Sequence, residues 1–382
     1  MKRFLKFLCM CLIMSMAESA HAALPTVKDT VIISAADRKD VNLAEMAENF
    51  VDYDVVFFGE FHDQDVLHEL EYEMLQQLYA IHGDKLVLSL EMFEADNQFV
   101  LNEYLAGRIT EEEFLAKSRP WPRYKTDYRQ LVEFAKAHKL PVLASNIPRF
   151  LAAKLAKEGT LAAVAELDKQ YLPVRTYAPA GKYKEKFAAY MTKGQTPMRI
   201  PQERIDQVFA AQCIKDDKMA ESIFYYWQDN QDKVIFHING CFHSDGHLGT
   251  VEKLEALNPA LKVGVITPKD MPESKNYMET YADDKKDGEY IIYFPRVEKS
   301  EEGYYDENKK QTIFQQENID DISCWHKCHL GGTAVYAEEP QKFTLDEYVV
   351  TATRTELSRK EVPQSVEVIT KEDIQNIGAT NV

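Results

Sequence analysis

The chain has 382 residues, 45% of them hydrophobic and 28% charged, with 45 Lys and Arg against 62 Asp and Glu for a formal net charge of −17. That length and apolar content suit a globular protein with a substantial core. So acidic a chain has no counterion-release term to offer a polyphosphate, which argues against nucleic acid as a partner.

Residues 1–22, MKRFLKFLCMCLIMSMAESAHA, place Lys2, Arg3 and Lys6 before an apolar run from Phe7 to Met16, then Ala20-His21-Ala22. This is the order of a secretory signal peptide cleaved after Ala22, and the run is too short to anchor in a bilayer. Cys9 and Cys11 lie inside the apolar centre rather than after it, which speaks against a lipidated cysteine at the cleavage point. An exported product is expected. Loss of Lys2, Arg3, Lys6 and Glu18 moves its formal charge from −17 to −19.

Residues 23–296 read as an α/β domain. DVVFFGE (54–60) is a strand, and DVLHELEYEMLQQLYAIHG (65–83) a helix with Val66, Leu70, Met74, Leu75 and Leu78 on one face and Gly83 as its stop. KLVLSLEMF (85–93) is a second strand ending at Glu91, and helical pieces follow around 94–105, 110–117 and 127–138. LPVLASNIP (140–148), VIFHINGCFH (234–243) and LKVGVIT (261–267) complete five strands, with a strand-like EYIIYFP at 289–295. Alternating strands and helices with nearly continuous apolar strands predict a mainly parallel sheet with helices on both faces. Between about 162 and 232 the strand pattern stops, and a helical, aromatic-rich insertion is expected to act as a lid over the strand ends. There Tyr183, Phe187 and Tyr190 share one helical face, which would equally serve to pack on the sheet.

Sheets of this kind place their sites at the carboxyl ends of the strands. Those ends supply Glu60 and His62, Glu91, Asn146 and Arg149, then His243 with His247. A Glu and a His at adjacent strand ends can ligate a metal, share acid–base work, or let one orient the other. Protease, esterase and phosphate-loop signatures are absent. Of the four cysteines after residue 22, Cys213, Cys241, Cys324 and Cys328, either two disulfides form, in one of three connectivities, or Cys213 and Cys241 are small buried residues.

FFGEFHDQDVLHELEYEMLQQL resembles the opening motif of the ChaN-like family of haem-binding proteins, within a superfamily that includes Tiki-type proteases and erythromycin esterases. SLEMFEADNQ, Tyr128 with LVEFAKAHKLPVLASNIPR, AQCIKDDKMAESI with Gln212, Asp216 and Met219, and NGCFHSDGHLG agree with it in order, over about residues 40–267. The late turn departs from the family's usual glycine-small-glycine-histidine, reading Gly240-Cys241-Phe242-His243. The resemblance implies non-covalent haem binding for iron acquisition in the bacterial envelope, in the periplasm or at the outer membrane, with a homodimer as one arrangement. The residues expected around haem are Glu60, His62, Glu91, Arg149, Tyr183, Tyr190, Asp216 and His243. Tyr183 and Tyr190 are the candidate iron ligands, because a lid would present them to a flat apolar ligand and tyrosine ligates ferric haem. The alternative is a hydrolase using Glu60, His62, Glu91 and His243, with or without a divalent metal; a third reading is an interaction module with a degenerate site.

CWHKCH (324–329) resembles a c-type haem attachment sequence with one residue too many between its cysteines, so a local disulfide or a chance spacing in an unstructured stretch is favoured over covalent haem. FTLDEYVVTATRTELSRKEVPQSVEVITKEDIQNIGATNV resembles the start of a TonB-dependent outer-membrane receptor, with the energy-coupling box DEYVVTA followed by the beginning of a plug. GGTAVYAEE before it resembles the end of a second signal peptide. Residues 297–346 are expected to be a disordered linker and 347–382 an incomplete plug-like segment. Either a haem-binding protein is fused to its receptor, or two reading frames have been joined or truncated. An outer-membrane receptor, and TonB through the tail, are the implied protein partners.

Overall fold

The computed structural model describes residues 25–192 and 200–297. The expected signal peptide, the linker beyond residue 297, CWHKCH and the plug-like segment lie outside the described residues.

In chain order the elements are β1 (Val31–Ser34), β2 (Asp40–Val41), α1 (Leu43–Asn49), β3 (Val55–Glu60), α2 (Asp65–His82) and β4 (Leu86–Glu94). Then come α3 (Gln98–Leu105), α4 (Glu111–Ser118), a π-helical turn (Tyr124–Tyr128) running into α5 (Arg129–His138), β5 (Val142–Asn146) and α6 (Arg149–Glu158). The rest are α7 (Lys182–Thr192), α8 (Gln202–Asp229), β6 (Val234–Gly240), α9 (Thr250–Leu257), β7 (Val263–Asp270), α10 (Tyr281–Asp284) and β8 (Tyr290–Phe294).

The described residues form one eight-stranded sheet in the order β2-β1-β8-β7-β3-β6-β4-β5. From β8 to β5 every neighbouring pair is parallel, and the β1–β2 hairpin adds antiparallel to the β8 edge. This is the mainly parallel sheet expected from the strand–helix alternation, extended by β8. The hairpin has no counterpart in the sequence reading, because strands of four and two residues carry no usable period. Glu91 is not the end of its strand either: β4 continues to Glu94 across a register shift against β5.

Because side chains alternate across a strand, the same apolar runs feed two cores. Val56 and Phe58 of β3, Leu88 and Leu90 of β4 and Phe236 and Ile238 of β6 pack under α1 to α5 with Phe50, Leu70, Met74, Leu75 and Leu78. Val55, Phe57, Val87, Ile235 and Val265 face the other way, onto Ala220 and Ile223 of α8 and Val251 and Leu254 of α9. Residues 162–232 therefore divide in two. The second half of α8 covers the sheet, while α7 and the first half of α8 join Phe242 in a separate cluster of Tyr183, Phe187, Met191, Ile205, Val208, Phe209 and Cys213 beyond the end of β6. Cys213 and Cys241 are free thiols, not joined to each other. Among the described residues no helix is long and apolar enough to cross a membrane.

Candidate functional site

Strands β3, β6 and β4 are neighbours, so their carboxyl ends bring Glu60, Gly240 and Glu91 side by side, with Glu60 in register with Gly240. Strand alternation then sends the two carboxylates to opposite faces. Glu60 follows Val56 and Phe58 toward α2 and α5, and Glu91 follows Val87 toward α8.

On the α2 side, Glu60 is 1% exposed and Glu71 and His68 are buried beside it. Tyr128, delivered by the π-helical turn, donates its hydroxyl to Glu60 Oε1 at 2.8 Å. His62 bonds the same oxygen through Nδ1. His68 Nδ1 lies 3.2 Å from both Glu60 Oε2 and Glu71 Oε2. Burial alone would raise the Glu60 carboxyl, but the imidazoles of His68 and His62 outweigh it and hold the group well below the usual carboxylate range. Glu71, pushed by burial and then by the Glu60 charge, goes the other way and is held well above it.

On the α8 side, Glu91 Oε2 accepts the backbone N–H of Gly240 at 2.8 Å, and its Oε1 is 3.2 Å from His243 Nε2. The opposite nitrogen of His243, Nδ1, donates to Asp216 Oδ1 at 2.6 Å. Asp216 is completed by Thr250 Oγ1 (2.9 Å) and Tyr183 OH (2.8 Å). Burial would lower the His243 imidazolium, but Glu91 and Asp216 outweigh it and raise the group to about 10. Burial would likewise raise Glu91, and the His243 charge instead brings it down to about 2. Behind the pair, burial holds His237 neutral at about 3, with Nδ1 2.8 Å from Ser89 Oγ. The turn that carries His243 needs Gly249 at φ +59; a Cβ there would lie 2.7 Å from the His243 carbonyl and 3.0 Å from Asp216 Oδ1.

His62 joins the two clusters. Its Nδ1 holds Glu60, while its Nε2 lies over Gly240, on the residue whose N–H binds Glu91. Trp121 covers the ring at 4.8 Å between centroids.

The expected residues thus take distinct places. Glu60, His62, Glu91 and His243 are brought together, around Gly240 rather than on one open floor. Asp216 anchors His243, and Tyr183 anchors Asp216. Tyr190 is half-buried, its ring 5.7 Å from that of Phe242. Arg149 stands apart at the end of β4, bonding Glu94 beside Arg119. His247 stands apart as well, paired with Glu255 and Glu289. His68, Glu71 and Asp127 were not singled out from sequence. The signal was a polar pair, His68 and Glu71, on the helical stripe that Leu75 and Leu78 continue into the core.

The model of the family described as haem-binding uptake, Tiki superfamily, ChaN, matches residues 46–254, from α1 into α9. Among solved structures, ChaN of Campylobacter jejuni, described as binding haem cofacially, is similar at 18% identity and a TM-score of 0.56, over 70% of this chain and 98% of that one. At that identity the likeness speaks for the fold. An erythromycin esterase in its open conformation matches at 13% identity and a TM-score of 0.41, over 70% of this chain and 98% of its own. No curated protein sequence matches the chain significantly.

Proposed function

Because the chain belongs to the ChaN family of haem-binding uptake proteins in the Tiki superfamily, we propose that it is an exported haem-binding protein of a bacterial envelope, holding haem without a covalent bond and serving haem or iron uptake. The family match carries this reading, since it spans the elements that build both strand-end clusters. The signal-peptide-like residues 1–22 support export, and the receptor-like order of motifs in 347–382 supports an outer-membrane receptor and TonB as partners.

The residues fit haem at the rim of the clusters better than inside them. Glu60, Glu91, Asp216 and His243 are almost wholly buried and bonded to one another or to neighbouring side chains, which leaves no slot for a porphyrin between them. Beside them, α7 offers the half-buried Tyr190 next to the Phe242 ring, with Lys186 Nζ 5.0 Å from the centre of that ring. An aromatic surface, a phenol for ferric iron and an ammonium for a propionate are what a haem site needs. In this reading Tyr190 is the iron ligand and Tyr183, whose hydroxyl serves Asp216, is a positioning residue. Cofacial haem in the similar Campylobacter protein makes a pair of stacked porphyrins, shared by a homodimer, the arrangement to look for.

Titration of the full chain with haem tests the reading. A Soret band that saturates at a fixed ratio supports it, and a ratio of two with a split band supports stacking. No spectral change in either oxidation state overturns it.

A further inference from the structure

On the α2 side of the sheet, Glu60, His68 and Glu71 each offer one donor atom, the three atoms lying within 4.8 Å of one another. His68 Nδ1 is 3.2 Å from Glu60 Oε2 and 3.2 Å from Glu71 Oε2. At each of these two separations the imidazole and a carboxylate oxygen subtend about 100° at an ion held at about 2.1 Å, between the tetrahedral and octahedral angles. All three side chains are at least nine-tenths buried, and Glu60 Oε2 and Glu71 Oε1 accept no hydrogen bond from the described residues. Buried carboxylate oxygens left in that state are costly, and each one asks for a reason.

The other nitrogen of His68 supplies a second, independent observation. Its Nε2 is 3.2 Å from the backbone oxygen of His62 and 3.4 Å from Asp127 Oδ2. Both atoms only accept, so Nε2 carries a proton. A metal-binding histidine fixes its tautomer in this way, through a carbonyl or carboxylate behind it. With Nδ1 unprotonated, His68 turns its lone pair toward Glu60 Oε2 and Glu71 Oε2, an arrangement that attracts when a cation lies between them and otherwise needs a proton there. Protons alone would need a doubly protonated ring between one carboxylate and one neutral carboxyl, which still leaves Glu71 Oε1 without a hydrogen bond among the described residues. Tyr128 and His62 both bond Oε1 of Glu60, which fixes that carboxylate with Oε2 turned into the cluster.

We propose that Glu60, His68 and Glu71 bind one first-row divalent transition-metal ion of the Zn²⁺ or Mn²⁺ kind. One imidazole and two carboxylates suit those ions, whereas Mg²⁺ and Ca²⁺ favour oxygen alone. This site shares only Glu60 with the set Glu60, His62, Glu91 and His243, and it lies on the opposite face of the sheet from Glu91. Its work is to hold Glu60, and through Glu60 the imidazole of His62 at the rim. It stands independently of haem binding.

The test uses the full chain, stripped with chelator and then given Zn²⁺, Mn²⁺ or Co²⁺ alone. One ion per chain is expected after desalting, with a higher thermal midpoint and a visible Co²⁺ band. Glu71→Gln, which keeps the shape but cannot become a carboxylate ligand, is expected to weaken binding by more than about 100-fold and to abolish the thermal shift. The haem response of Glu71→Gln is expected to match the parent, and Glu91→Gln to bind the ion as the parent does. A parent that keeps no ion and gives no Co²⁺ band overturns the proposal, because protons alone then fill the cluster. Undiminished binding in Glu71→Gln, or its loss in Glu91→Gln, places the ion elsewhere and overturns it too. Should Glu71→Gln fail to fold, the Co²⁺ band of the parent decides by its presence or absence.

Discussion

The imidazole of His62 lies against Gly240 so closely that a Cβ on that glycine would come within 2.9 Å of Nε2 and 3.1 Å of Cε1. His62 is itself tied to Glu60 and covered by Trp121, so it cannot swing aside without giving up a charged hydrogen bond. Gly240 has an ordinary φ of −55°, so the demand for glycine here is one of space and not of backbone conformation.

Gly240→Ala is therefore expected to destabilise the fold by about 1–3 kcal/mol, the usual cost of forcing an extra methyl into packed surroundings. Replacing His62 by Ala in the same chain removes the clash, so the double variant should lose less than the sum of the two singles. Urea melts of the four proteins measure this coupling. Additive losses would mean that the methyl group strains something other than His62.

The pH dependence of stability follows from the Glu91–His243 pair. His243 is raised from 6.5 to about 10, so its contribution is complete below pH 6.5 and disappears as pH rises through 10. Glu91 is lowered from 4.5 to about 2, so its contribution is complete above pH 4.5 and disappears as pH falls toward 2. Between 4.5 and 6.5 both are intact. The groups facing His243 are Glu91 from β4, Asp216 and Gln212 from α8, and His237 from β6. His247, raised to about 9 by its hydrogen bond to Glu289, adds a slope of the same sign on the alkaline side. The difference between the parent and His243→Gln isolates the pair. The parent is expected to lose stability from pH 6.5 to 10 more steeply than the variant in urea melts across that range. Parallel curves would show that His243 is not protonated in the native state.

Most of this fold was legible because parallel strands buried on both faces are written as uninterrupted apolar runs. DVVFFGE and VIFHINGCFH announce β3 and β6 without any periodicity. The same property hid the site. In a run with no alternation, nothing in the sequence says that Glu60 and Glu91 leave the sheet on opposite faces, and the extension of β4 to Glu94 is invisible for the same reason. His68 and Glu71 were masked by the strong apolar stripe around them, since a helix is identified by its hydrophobic positions and its buried polar ones read as noise. Tyr183 shows the converse. Its spacing with Phe187 and Tyr190 correctly marked a helical face, but only the fold decides that Tyr183 turns inward to Asp216 while Tyr190 stays half-buried.

The two tyrosines should therefore separate in spectroscopy. Tyr190→Phe is expected to change the ferric haem spectrum and weaken haem binding, with little effect on the melting curve. Tyr183→Phe removes one of three donors to Asp216 and is expected to cost about 1 kcal/mol of stability while leaving the ferric spectrum unchanged. Absorption and magnetic circular dichroism of the ferric complexes make the comparison. A Tyr190→Phe protein with the parent spectrum would remove Tyr190 as the iron ligand.

Glu60 decides between binding and hydrolysis, because each reading expects a different loss from Glu60→Gln. In the binding reading this carboxylate is structural: His62, Tyr128 and His68 all depend on its charge from inside the protein. Removing the charge leaves the buried His68 and the partly buried His62 short of a partner, with an expected cost of about 3–5 kcal/mol. The residual folded protein should still give the parental Soret band, since Tyr190 and Phe242 lie on α7 and the β6 turn rather than on β3. In the hydrolytic reading Glu60 acts on substrate, and Glu60→Gln would be folded and inactive against an ester or amide that the parent cleaves. The expected result is an unstable variant that still takes up haem, and a parent that turns over neither substrate class with Mn²⁺, Co²⁺ or Zn²⁺ supplied. Turnover by the parent that vanishes in a fully folded Glu60→Gln protein would move the assignment from a haem carrier to a hydrolase.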